Sequence, residues 1–460
     1  MTPRPGPMLR RGPRPLLLHM TLAMLKSRGL SSGSSNSNAI STNNLSDPLA
    51  AAMAAILTPP ILGLPILAPP ILAPPILGLP ILGLPIEGAH LLTATKSHGD
   101  DPAAKPDSRQ TAKPDSRQTA EPDSFQNDAR LIAGIAAYRR HPSTRDMAEP
   151  PAIWAEGGTR LLDYGVFGAG NKAGTAVLFV PSLVNRAYVL DLAPGHSMLR
   201  FLAGTGIRPL LLDWGWPGPV ERRFTLTDYI AGRLERALLE TTRLTGSPPV
   251  LAGYCMGGTL SVAAAARRPD LVRALALLAT PWDFHADGGK AQAAMAQILA
   301  MLEPLLGFNA TLPIDALQTL FTVLDPFGVG DKYRAFAMLD QTSARAKLFV
   351  ALEDWLNDGV PLAAPVAREC LSGWYGANTP GRGEWQVAGD IVDPAKLRIP
   401  AFVAAPGRDR IVPPESARPL AQLIPGAVLH TPAAGHIGMT AGMGAEKALW
   451  RPLLDWLQQL

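Results

Sequence analysis

Two cysteines in 460 residues are too few for a disulfide scaffold. Cys255 and Cys370 form no CxxC pair, and no Cys/His cluster accompanies them, so no metal is expected. Sparing use of thiols fits a reducing compartment, and the cytoplasm is the expected location. Charge is scarce too: 17% of residues are charged and the formal net charge is +4. Aromatics make up 6% of the chain and do not interleave with a basic stripe, so nucleic acid is not an expected partner. Residues 48–86 carry no charge at all. That length of apolar chain would suggest a membrane span. Prolines argue against it. Pro60, Pro65, Pro70, Pro75, Pro80 and Pro85 recur every five residues, and each removes a helix donor and clashes with the preceding turn. An extended, polyproline-like segment is expected instead. It would adsorb to an apolar surface, or it is repeat slippage in the gene with no selected role.

The rest of the N-terminal region is equally unlike a core. MTPRPGPMLRRGPRPLLLHMTLAMLKSRG is only weakly like a signal peptide, because His19 interrupts the apolar run and no small-residue cleavage site follows. Met20, Met24 and Met53 are alternative starts. AKPDSRQT repeats at 104–111 and 112–119, charged, proline-containing and poor in apolar residues. Residues 1–128 are therefore expected to be a disordered, low-complexity extension. Residues 129–460 have globular patterning, long enough for one large domain with an inserted subdomain.

Beyond residue 170, apolar runs alternate with helical patterns. TAVLFVPSL (175–183), RPLLLDW (208–214), PPVLAGY (248–254) and VRALALLAT (272–280) predict strands. YVLDLAPGHSMLRFLAGTG (188–206), LTDYIAGRLERALLETTRLTG (226–246) and MGGTLSVAAAARR (256–268) predict helices, the first two closed by glycine. The alternation pauses over 282–395, which is rich in helix formers. It resumes with PAFVAAPG (400–407), a helix near 414–424, AVLHTPAAG (427–435) and a last amphipathic helix. Continuous apolar strands imply a sheet covered on both faces. Strand–helix–strand order implies a mainly parallel α/β sheet, with a helical cap inserted before its final strands.

GYCMGG (253–258) sits between a predicted strand and a predicted helix. G-x-C-x-G-G has the form of a nucleophile elbow with cysteine in place of serine. The turn is strained, so Gly253, Gly257 and Gly258 must leave room around it. The sulfur of Cys255 would then stand at a helix N-terminus, where the dipole favours thiolate over thiol. The Met256 N–H would point at a developing oxyanion, and a second donor is expected from VPSLVNRAY, at Leu183 or Val184. In such a sheet the acid and then the histidine follow on the last strand ends. Asp409, in GRDRIVPPES, and His436, in AAGHIGM, occupy those two positions. Cys370 lies in a helix-like run and is expected to be packing. His285 and His430 receive no catalytic role.

Together these segments resemble the polyhydroxyalkanoate synthases, of the α/β-hydrolase fold. The similarity covers roughly 160 to 445. VPSLVNRAYVLDLAPGHSMLRFLAGTG, LLLDWGWP, LLATPWDFH (278–285), LEDWLNDGVPL (352–362), GRDRIVPPESA and AAGHIGM look like successive segments of that family. Gly218 departs from it, standing where many relatives carry an acidic residue. The short catalytic part looks most like the small catalytic subunits of two-subunit synthases. The resemblance implies Cys255 as acyl-accepting nucleophile, His436 as base and Asp409 as its partner. It implies a 3-hydroxyacyl-CoA substrate, a growing polyester chain, and no cofactor beyond the coenzyme A thioester. It allows a second synthase subunit, a homodimer and a polyester granule surface as partners. Two other readings compete. Dienelactone hydrolases also carry a G-Y-C-x-G-G elbow but lack so large a cap, and a non-catalytic granule protein would need no triad.

Overall fold

The computed structural model describes residues 10, 12–27, 120–168, 174–286, 288, 291–324 and 327–460. The proline run and the AKPDSRQT repeats lie outside them. Eight short segments pair into one sheet: β1 (Ala152–Glu156), β2 (Thr159–Asp163), β3 (Ala176–Val180), β4 (Arg208–Asp213), β5 (Val250–Tyr254), β6 (Ala274–Leu278), β7 (Ala401–Ala404) and β8 (Val428–His430). Their spatial order is β1-β2-β4-β3-β5-β6-β7-β8. β1 and β2 form an antiparallel hairpin, and β2 runs antiparallel to β4. From β4 to β8 every neighbouring pair is parallel.

The helices are α1 (Leu16–Ser27), α2 (Ala120–Arg140), α3 (Met198–Gly204), α4 (Glu235–Thr245), α5 (Met256–Arg267), α6 (Ala291–Asn309), α7 (Ile314–Leu324), α8 (Gly328–Ala337) and α9 (Ala344–Asn357), followed by shorter turns. Successive strand residues point to opposite faces, and both faces are covered. In β6, Leu275 and Leu277 join the layer that holds Leu238 of α4 and Leu260 of α5. Ala274, Ala276 and Leu278 join the layer of Leu199 and Leu202 from α3 and Leu453 near the C-terminus. β3, β5 and β6 are buried along their whole length, which is why they read as unbroken apolar runs. Among the described residues no helix is long and apolar enough to cross a membrane.

The insertion between β6 and β7 is helical, as its composition predicts, and is built from α6 to α9 with a further helical stretch over 364–376. Four expectations are corrected. The single helix expected over 188–206 is a 3-10 turn (Ala187–Leu190), a small hairpin (Asp191–Ala193 with His196–Ser197) and then α3. Pro194 and Gly195, the latter at φ +76°, make the hairpin turn, and Ser197 caps α3 by accepting from the Arg200 N–H. The expected helix near 414–424 is two short ones, Pro414–Ala417 and Pro419–Leu423, broken at Pro419. The β1–β2 hairpin was not anticipated; its first strand is half-buried to exposed and shows no clean alternation.

The fourth correction is the boundary at residue 128. α2 begins at Ala120, and α1 docks on the body, with Leu18, Leu22 and Ala23 buried. Ala23, Leu131, Ile135 and Tyr138 share one apolar cluster with Tyr333, Phe336, Ala346 and Val350 of the cap. Gly134 permits this approach, since a Cβ there would stand 2.0 Å from the Tyr333 carbonyl oxygen.

Candidate active site

The elbow forms where β5 must turn into α5. Cys255 takes φ 56° and ψ −129°, a left-handed conformation that a side chain enters only under strain. Its N–H donates to the Leu278 carbonyl at 2.8 Å, tying the turn to β6. The three glycines leave room that nothing else could. A Cβ at Gly253 would stand 2.3 Å from the Gly258 Cα; one at Gly257 would stand 2.1 Å from the Val180 oxygen; one at Gly258 would stand 1.9 Å from Thr280 Oγ1. The close approach at Gly257 brings the end of β3 and its loop beside the start of α5.

Two distant loops meet the sulfur there. His436 Nδ1 donates to Asp409 Oδ2 at 2.7 Å, with the Asp409 side chain fully enclosed. Asp409 Oδ1 accepts the Ile411 and Val412 N–H groups, each at 2.9 Å, so the carboxylate is pinned by its own turn. The histidine ring and the Cys255 side chain line the same cavity. Burial is the largest influence on this ring and opposes its charge. The Cys255 sulfur and the Asp409 carboxylate outweigh burial and push the pKa up to about 10.

Tyr254 is the neighbour that sequence reasoning missed. Its hydroxyl donates to the His436 carbonyl at 3.3 Å, and its ring lies 5.2 Å from the imidazole, centroid to centroid. The elbow's own register was the available signal, because the residue before the nucleophile ends β5 on the face toward His436. Of the two proposed loop donors, Val184 gives its N–H to Ser182 Oγ at 3.3 Å. Leu183 is buried and its N–H has no such bond, while Val184 lines the cavity over the sulfur. His285 and His430 bond the carbonyls of Tyr375 and Ala448, at 2.9 and 2.7 Å, and not Cys255, Asp409 or His436. Cys370 is buried, and desolvation pushes its thiol pKa up. At Gly218 the acid comes from elsewhere in the turn: the Gly218 N–H donates to Glu221 Oε2 at 3.1 Å.

A cavity of about 90 Å³ lies over the sulfur. Its floor is Cys255, His436 and the loop after β3; its roof is Gln318 and Phe321 of α7 with Trp355 and Leu356 of α9. Among the described residues no His/Cys/Asp/Glu cluster could hold a metal ion.

Residues 177–445, more than half of the chain, match the alpha/beta hydrolase family. The chain is 30% identical over 295 residues to the poly(3-hydroxyalkanoate) polymerase subunit PhaC of Synechocystis sp., covering 62% of this chain and 77% of that protein. The corresponding subunit of Allochromatium vinosum is 29% identical, with 64% and 83% covered. That of Haloferax mediterranei is 29% identical, with 67% of this chain and 63% of that protein covered. The chain belongs to the poly(3-hydroxyalkanoate) polymerase family. The elbow, the acid loop and the histidine loop all fall within the span that matches the hydrolase family. The docked helices α1 and α2 lie outside that span.

Proposed function

We propose that this polymerase carries its acyl group on Cys255 and builds polyester from 3-hydroxyacyl-CoA. One observation supports this above others: the strained elbow presents a cysteine in the same cavity as a buried His436–Asp409 pair, beneath a largely apolar roof. His436 takes the Cys255 proton, and the thiolate attacks the thioester carbonyl. The oxyanion is held by the Met256 and Leu183 N–H groups. The carbon–sulfur bond to coenzyme A breaks, the CoA sulfur leaves with the proton from the imidazolium, and the acyl group stays on Cys255. In the second half, His436 takes the proton of an incoming 3-hydroxyl, and that oxygen attacks the acyl-cysteine. An ester forms and the Cys255 sulfur is released. Asp409 orients the ring and supports its positive charge throughout.

Thioester-to-thioester exchange is nearly balanced in energy, and a thiolate leaves readily, so cysteine suits a group that must be passed on. Water must be kept away from the acyl-cysteine, and the apolar roof is suited to that role. Thiol release from 3-hydroxybutyryl-CoA, with analysis of the product, tests the reading. Insoluble polyester supports it; free 3-hydroxybutyrate would show an esterase of the dienelactone-hydrolase kind; no thiol release would show a granule-bound scaffold or the need for a second subunit, which adding that subunit separates.

A further inference from the structure

The helices that roof the cavity are held from outside by the N-terminal segment. Arg10 reaches α9: its Nε and Nη2 donate to the two oxygens of Asp354 at 2.7 and 2.8 Å. The same guanidinium donates to the carbonyls of His141 and Ser143. Arg14 reaches α7: its Nε and Nη2 donate to the two oxygens of Asp315 at 2.8 and 3.2 Å, and Nη1 to the Asn357 carbonyl at 3.4 Å. Tyr138 of α2 donates to Asp354 Oδ1 at 2.8 Å, completing the joint. α1 continues from Arg14 and buries Leu18, Leu22 and Ala23. The two clamped carboxylates therefore sit on the two helices whose other residues, Gln318, Phe321, Trp355 and Leu356, close over Cys255. Gln318 Nε2 donates to the Leu356 carbonyl at 3.1 Å, so α7 and α9 are joined to each other as well.

The cavity is about 90 Å³, against the ~300–1,000 Å³ usual for a ligand site, and Cys255 is half-buried in it. A bulky reactant is accommodated beside the sulfur only if the roof helices α7 and α9 give way. We propose that Arg10 and residues 12–27 are a strap whose two arginine forks hold the cap shut, so that strap release is coupled to access at Cys255. The coupling is electrostatic at Arg14, where Asp315 is exposed, and part-buried at Arg10. It concerns access to the thiol alone and does not depend on what reaction the thiol performs.

The test compares how fast Cys255 is labelled by iodoacetamide, which is small, and by fluorescein-5-maleimide, which is large. Peptide mapping reports Cys255 separately from Cys370. Arg14→Asp should raise the rate with the large reagent about three- to tenfold relative to the small one, the scale of one lost exposed fork. Asp315→Arg should do the same, and Arg14→Asp with Asp315→Arg should restore the wild-type ratio to within about twofold. The unmodified protein supplies a second reading: the ratio should rise between about 50 mM and about 0.5 M salt as the exposed fork is screened. An unchanged ratio in both single variants, a double variant as open as the singles, or no salt dependence would each overturn the strap.

Discussion

At Gly257 the carbonyls of β3 leave no space for a methyl group, and those atoms are main chain, which cannot rotate aside. Gly257→Ala must push α5 away from the loop that carries Leu183, separating the two proposed oxyanion donors. A loss of ~1–3 kcal/mol of stability is expected from the overpacking, with a larger relative fall in turnover than in thiol labelling of Cys255. Thermal melts and the two rates measured side by side check this. His436 carries a second residue-scale consequence. Its raised pKa is sustained chiefly by the neighbouring sulfur, then by Asp409, against burial. Cys255→Ala removes the sulfur, so the imidazole should titrate lower in the variant than in the wild type, as read by NMR of the ring nitrogens. A folded-state pKa above the ordinary His value contributes stability that is complete below about 6.5 and fades as pH rises through about 10. Wild type and variant should therefore converge in stability at the alkaline end. An unchanged ring titration would remove the sulfur–imidazole coupling from the account, and with it the proposed proton path.

At the scale of elements, α1 tests itself through its own histidine. His19 is buried among apolar neighbours, its Nε2 bonds the Arg14 carbonyl at 3.0 Å, and its Nδ1 has no partner. Burial first, and the charge of Lys332 after it, lower its pKa to about 4, outweighing the Arg14 carbonyl. The sign is that of a depressed pKa: docking is fully stable above about 6.5 and weakens as pH falls toward about 4. Hydrogen exchange across residues 16–27, corrected for intrinsic rates, should accelerate in that window, and His19→Gln should flatten the dependence. α1 also shows what the sequence could not disclose. Its buried face is defined by Tyr333 and its neighbours some three hundred residues onward, and a short apolar run after Arg14–Pro15 carries no local mark of the surface on which it packs. The elbow was legible for the opposite reason. Strand, turn and helix are contiguous there, and every local requirement, apolar run, flanking glycines and alanine-rich helix, is written within about twenty residues. Asp409 and His436 could be singled out because each lies in the loop that follows a strand, which fixes its edge of the sheet. The roof residues could not, because nothing local says that Phe321 and Trp355 face the sulfur.

On the scale of the whole molecule, one of the seams between core and cap runs beside the site. Asn185, in the loop after β3, pairs with Gly359 of the insertion in an isolated antiparallel bridge, and the Val360 N–H donates to the Val184 carbonyl at 3.3 Å. If coenzyme A thioesters reach Cys255 only when the roof lifts, fastening this seam must separate small from large reactants. Antiparallel partners lie ~4.5–5.5 Å apart at Cα, within the ~4.4–6.8 Å a disulfide spans. Asn185→Cys with Gly359→Cys, oxidised, should lose most turnover with 3-hydroxybutyryl-CoA, at least about tenfold, while iodoacetamide still labels Cys255 at close to the reduced rate. Reduction should restore turnover to that of the same protein before oxidation, which cancels any effect of losing the Asn185 side chain. Full turnover in the oxidised, cross-linked protein would mean that substrate enters by a path that leaves the seam closed, and the roof over Cys255 would then be packing and not a door.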